Sequence, residues 1–106
     1  MVRELTPTEY QQGAAGSART LLLDVREAWE LEVASLPAAV HIPMGEVPGR
    51  LAELDRERDI VVMCRSGGRS LNVARFLESQ GYASVANLTG GILAWAREVD
   101  PSLATY

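Results

Sequence analysis

Short continuous apolar runs alternate along the chain with segments whose apolar residues recur at helical spacing. The run Thr20-Leu21-Leu22-Leu23-Asp24-Val25 shows no polar alternation, which predicts a central strand covered on both faces. Asp59 to Cys64 is the clearest strand of the chain, and Ser84 to Leu88 predicts another. Val40-His41-Ile42 predicts a brief strand halted by Pro43.

Between the strands fall helical signals. Thr6-Pro7-Thr8-Glu9 reads as a helix start, with Thr6 as N-cap, Pro7 where its missing N–H is harmless and Glu9 closing a capping box. That helix is expected to run to about Gly13, followed by a loop over Gly13-Ala14-Ala15-Gly16-Ser17. Glu27 to Val33 predicts a short helix. Gly45 to Leu54 predicts an amphipathic one, with Val47, Leu51 and Leu54 inward, Arg50 and Glu53 outward, and Pro48 in the first turn. Beyond Cys64 a glycine-containing loop leads to a helix with Val73, Phe76 and Leu77 on one face and Asn72, Arg75 and Glu78 on the other. Gly81 ends it. Gly90-Gly91 opens a last helix with Ile92, Trp95 and Val99 inward, stopped by Pro101. Strands alternating with helices predict an α/β domain on a mostly parallel sheet, with functional groups at the carboxyl ends of the strands, where Cys64 falls.

Composition narrows the classes of function. A chain of 106 residues has room for one domain, 1–106, and 47% hydrophobic with 23% charged residues excludes a disordered chain. A formal charge of −4 argues against a nucleic-acid partner. No apolar run approaches the roughly 20 residues that span a bilayer, and the first residues lack the pattern of a secretory signal, so a cytoplasmic protein is expected. One cysteine permits no internal disulfide, and one cysteine with one histidine makes no usual soft-ligand metal set. Neither metal nor organic cofactor is expected, and nothing demands more than a monomer.

The chemistry concentrates in Cys64-Arg65-Ser66-Gly67-Gly68-Arg69-Ser70, a cysteine leaving a buried strand, then a loop, then a helix. No residue after Cys64 in this stretch is proline, so each offers a backbone N–H, and Gly67 and Gly68 can take the positive φ values that curl a loop into an anion-binding nest. A helix expected to start near Arg69 adds the positive end of its dipole. A thiolate at the centre of such a cradle is favoured over the thiol, which lowers the Cys64 pKa. Arg65 and Arg69 can strengthen the effect and hold an incoming oxyanion. A buried core cysteine would need neither the glycines nor the arginines beside it. His41 reads as a surface or packing residue, Trp95 as a core aromatic, and Asp24 with Arg26 as a structural charge pair near the sheet's carboxyl edge.

At this loop the sequence resembles the rhodanese family of sulfurtransferases, whose loop begins with a sulfur-carrying cysteine and commonly closes with Arg-Ser before a helix. Leu22-Leu23-Asp24-Val25-Arg26-Glu27, Ile42-Pro43 and Asn87-Leu88-Thr89-Gly90-Gly91-Ile92-Leu93-Ala94-Trp95 look like three further family landmarks, so the resemblance spans nearly the whole chain. The residues from Ala34 to His41 depart from the family's usual Gly-His-Ile-Pro-Gly-Ala followed by asparagine. The resemblance implies a three-layer fold, with a mostly parallel sheet flanked by helices on both faces.

Tyrosine-phosphatase-like enzymes also hang a cysteine on an anion-binding loop, but five residues separate their cysteine from arginine. Here four separate Cys64 from Arg69, and Ser70 stands at the arginine position, which suits a terminal sulfur better than a phosphate. No second cysteine is available to resolve a disulfide relay. The resemblance thus implies a ping-pong cycle in which Cys64 takes sulfur from a donor such as thiosulfate, rests as a persulfide among the N–H groups of Arg65 to Ser70, and passes it to cyanide or a thiol. Arg69 and Arg65 are expected to orient an anionic donor. The alternative is a sulfur-relay or non-catalytic interaction module that docks on a partner protein.

Overall fold

The computed structural model describes residues 2–14 and 19–106. The strands are β1 (Arg3–Leu5), β2 (Thr20–Asp24), β3 (Val40–His41), β4 (Asp59–Met63) and β5 (Val85–Leu88). The helices are α1 (Pro7–Glu9), which continues as a wider π turn over Tyr10–Ala14, then α2 (Ala28–Val33), α3 (Gly68–Ser79) and α4 (Gly91–Glu98). Among the described residues one sheet holds these five strands in the order β1-β5-β4-β2-β3, every pairing parallel.

Period-two alternation divides each interior strand between two cores. Leu21, Leu23, Ile60, Val62 and Cys64 share one core with Val73, Ala74 and Leu77 of α3 and with Val47 and Leu54. Leu22, Val61 and Met63 face the other, with Tyr10, Ile92 and Trp95. Helices therefore cover both faces, which is why β2 and β4 read as unbroken apolar runs. β4 is the middle strand, and β2, between β4 and β3, is an interior strand covered on both faces, as expected. Register pairs Asp24 with Met63, so the carboxyl ends of β2 and β4 lie side by side. The chain runs from β2 outward to β3 and then returns to β4 on the other side, making this edge the switch point of the sheet.

The capping box at Thr6 forms as expected: Glu9 N–H donates to Thr6 Oγ1 at 3.1 Å and Thr6 N–H to Glu9 Oε1 at 2.8 Å. Of the loop expected over residues 13–17, residues 15–17 lie outside the described residues. The segment Met44–Glu53 is a 3₁₀ helix broken at Arg50 (φ −125°, ψ 21°), not a regular helix. Because it begins at Met44, Pro48 falls past the first turn, where a missing N–H and a bulky ring prevent an α-helical ladder. Its amphipathicity survives, with Val47 and Leu54 buried and Arg50 paired with Glu46 and Glu53 on the outer side. The edge strand β1 has no signal in the sequence, since three residues carry no period and the strand exists only by pairing with β5.

Candidate active site

Cys64 follows directly on β4, and its side chain is 1% exposed. Gly67, with φ +110°, turns the chain so that its N–H donates to Cys64 Sγ at 3.0 Å. The Ser70 hydroxyl, in the first turn of α3, stands 3.3 Å from the same sulfur. Burial pushes the Cys64 thiol up, but the Ser70 hydroxyl and the backbone N–H groups of Ser70, Gly67 and Ser66 outweigh it and hold the thiol below its ordinary range. α3 starts at Gly68, one residue earlier than expected, and Gly68 has no positive φ. The curl thus rests on Gly67 alone of the pair.

The loop is clamped from behind. Ile92 N–H donates to the Cys64 carbonyl at 3.0 Å and Leu93 N–H to that of Arg65 at 3.2 Å. The first turn of α4 thereby holds loop carbonyls on the outside while loop N–H groups turn towards sulfur. This needs Gly91, where a Cβ would stand 2.5 Å from the Cys64 carbonyl oxygen and closer still to that of Arg65.

Asn87, part of a quoted landmark but given no role in the sequence reading, is buried beneath the loop. Its Oδ1 lies 2.5 Å from Ser70 Oγ, while its Nδ2 donates to the Gly67 carbonyl at 3.2 Å and to the Glu4 carboxylate at 3.3 Å. The single hydroxyl proton of Ser70 therefore has three acceptors within reach, Asn87 Oδ1, the Gly67 carbonyl at 3.2 Å and Cys64 Sγ, and a charged sulfur is the strongest competitor for it.

Asp24 and Arg26 form the expected pair, Nη2 to Oδ2 at 2.7 Å, both buried. Arg26 also donates to the Ala34 carbonyl at 2.9 Å and to the Tyr106 hydroxyl at 2.9 Å, satisfying an ion that burial would otherwise penalise heavily. Burial alone would lower its pKa, but its bonds to Asp24 and Tyr106 keep it above the usual arginine range. His41 Nε2 lies 2.6 Å from the Arg26 carbonyl, so its partner is backbone and not Cys64. Trp95 packs edge-on to Tyr10 in the core.

Sequence reasoning gave no role to Glu30 or Tyr106. The two terminal nitrogens of Arg69 meet the Glu30 carboxylate at 2.7 and 2.8 Å. Tyr106 O–H donates to Glu30 Oε1 at 2.8 Å and Glu27 N–H to Oε2 at 2.8 Å, so four donors saturate a carboxylate that is 3% exposed. The Arg69 hydrogen bonds hold the Glu30 carboxyl down to about 2 against its burial. Arg65 donates to the Tyr106 carbonyl, and its guanidinium lies 5.1 Å from the Tyr106 ring centre. Glu27-x-x-Glu30 carries a capping-box signal that places Glu30 on the first turn of α2, yet nothing in it points to an arginine 39 residues later.

A thiol at the end of a middle strand, receiving a backbone N–H and a hydroxyl before a helix, has the arrangement that a nucleophile towards a polarised sulfur would need. The model of the rhodanese-like domain matches residues 6–98. The chain belongs to the rhodanese family. A sulfurtransferase of Allochromatium vinosum is 40% identical over 104 residues, covering 98% of this chain and 97% of that protein. A chloroplastic rhodanese-like/PpiC domain-containing protein of Arabidopsis thaliana is 47% identical over 89 residues, 80% of this chain and 30% of that longer protein. Among solved structures, the rhodanese-like domain protein of Staphylococcus aureus superposes with a TM-score of 0.83 at 28% identity, covering 99% of both chains. The rhodanese fold, an α/β three-layer arrangement on a parallel sheet, is therefore common to this chain and its relatives.

Proposed function

We propose that this rhodanese moves sulfane sulfur through a persulfide on Cys64, from thiosulfate or a similar donor to cyanide or a thiol. The observation that carries the reading is the sulfur cradle: Cys64 Sγ receives the Gly67 N–H at 3.0 Å, with the Ser70 hydroxyl at 3.3 Å, and its pKa is lowered. Each contact favours an anionic sulfur.

In the first half-reaction the Cys64 thiolate attacks the outer sulfur of thiosulfate. The Sγ–S bond forms, the donor S–S bond breaks, and sulfite leaves with the electron pair. The persulfide anion then rests against the loop, with Arg65, Ser66, Gly67, Gly68, Arg69 and Ser70 as its surroundings. Cyanide attacks the outer sulfur, thiocyanate departs and the thiolate returns. Charge balances in both halves, and no general acid is needed because sulfite and thiolate leave unprotonated. A monomer in the cytoplasm, where a lone thiol stays reduced between turnovers, suits this cycle.

Intact mass before and after thiosulfate tests the reading. A gain of about 32 Da for one sulfur atom on an activated thiolate, removed by cyanide and absent in Cys64→Ser, is expected. A gain that persists in Cys64→Ser would overturn it, and a cysteine that loads only from a partner protein would favour a relay module instead.

A further inference from the structure

The two loop cations are not equally available to a substrate. Arg69 gives both terminal nitrogens to Glu30, and the Glu30 carboxylate, 3% exposed, takes two more donors from Tyr106 and Glu27. The pair stands beside the sulfur cradle: Arg69 lies in the first turn of α3, next to Ser70, whose hydroxyl is 3.3 Å from Cys64 Sγ. Around the sulfur, the formal charges of Arg69 and Glu30 cancel. Arg65 lies on the Tyr106 ring and carbonyl.

This matters because donors differ in charge. Thiosulfate brings two negative charges to a thiolate, so three must converge as the new bond forms. An organic hydropersulfide, R–S–SH, reacts without adding any. Resting on the persulfide reading above, we infer that Glu30 is a specificity-determining residue: by cancelling Arg69 it biases Cys64 towards uncharged hydropersulfide donors and against thiosulfate. The step balances without an oxidant. Cys64 thiolate bonds to the outer sulfur, the donor S–S bond breaks, and R–S⁻ leaves with the electron pair. The proton of the transferred sulfur passes to the leaving thiolate, giving the Cys64 persulfide anion and R–SH. Arg69 positions α2 against the loop in this arrangement, and its charge reaches a donor only to the extent that Glu30 leaves it uncancelled.

Second-order rates of persulfide formation, read by quenched flow and intact mass, test the inference with two probes: thiosulfate and the hydropersulfide of N-acetylcysteine methyl ester. Glu30→Gln keeps the shape and the capping hydrogen bond but removes the charge. It is expected to raise the thiosulfate rate about tenfold, the order set by one charge beside a dianion in a partly solvated site, with the hydropersulfide rate changed less than about twofold. Glu30→Gln combined with Arg69→Gln restores the net charge and should return the ratio of the two rates to near the original value. The double variant leaves no unpaired Arg69 charge against α2, so it stands as a test even if Glu30→Gln alone folds poorly; a collapse of the thiosulfate rate there would mean that Arg69 holds the donor oxyanion directly and would overturn the inference. An unchanged ratio in Glu30→Gln, or a raised ratio that persists in the double variant, would overturn the inference. Loading of the original protein by neither donor would instead remove the persulfide reading itself, and the inference with it.

Discussion

Two pairs of adjacent glycines open helices on the same edge of the sheet, Gly67-Gly68 as cap and first residue of α3 and Gly90-Gly91 as cap and first residue of α4. In the sequence they look alike. In the fold, one pair touches the sulfur and the other shapes the loop that does. Gly67 alone of the first pair needs positive φ, and a Cβ there would meet only ordinary contacts, the nearest being Gly90 N at 3.4 Å; a Cβ on Gly68 would meet nothing within 4 Å. In the second pair both residues have positive φ, and the space beside Gly91 is filled by the backbone of Cys64 and Arg65. The requirement for glycine is therefore stricter away from the Cys64 sulfur than beside it. Backbone packed on backbone has no rotamer to relax into, whereas a Cβ on Gly67 would find its neighbours at ordinary contact distance.

Four substitutions sharpen or break this comparison. Gly91→Ala should have the largest effect, because the loop carbonyls must move off the amides of Ile92 and Leu93. A loss of about 3 kcal/mol or more is expected, with Cys64 reactivity falling in whatever protein remains folded; chemical denaturation and alkylation rates together measure it. Gly67→Ala should cost about 1–2 kcal/mol, the strain of a side chain at positive φ, and weaken the N–H contact to sulfur. If it proved costlier than Gly91→Ala, the contrast between the two pairs would fail.

Ser70→Ala tests the cradle without touching a glycine. Removing a hydroxyl that favours the anion should raise the Cys64 pKa back towards its ordinary range, shown by the pH dependence of iodoacetamide alkylation. The direction follows from the native state: the folded thiol lies below its ordinary 9.0, so reactivity rises as pH climbs through that lowered value, and the midpoint moves up in the variant. A midpoint that did not move would mean that the hydroxyl proton stays on Asn87 or the Gly67 carbonyl. Gly68→Ala should be nearly silent, with a gain of about 0.5 kcal/mol from a less flexible unfolded chain, read from thermal unfolding.

Much of the fold was legible because its signals are local. The apolar runs of β2 and β4 carry their double-sided burial in composition, and the Thr6-Pro7-Thr8-Glu9 box carries its own cap geometry. The 3₁₀ character of Met44–Glu53 was less legible, because the helical spacing of Val47, Leu51 and Leu54 is genuine while the starting residue, which decides whether Pro48 is tolerated, is not written in that spacing. β1 could not be read at all, since three residues become a strand only when β5 is present beside them.

For the site, the sequence by itself determined the cysteine proposed as nucleophile, the absence of proline from the loop after it, a residue able to take positive φ at Gly67 and the nearby hydroxyl of Ser70. These lie within seven consecutive residues, and their chemistry depends on covalent neighbours. Only the tertiary structure decided what Arg69 does with its charge, what holds Ser70 from the far side and why Gly91 admits no side chain. Glu30, Asn87 and Tyr106 reach the loop through the parallel order of the sheet and the packing of α2 and α4. Such contacts are fixed by how strands are ordered in space, and adjacency along the chain does not record that order.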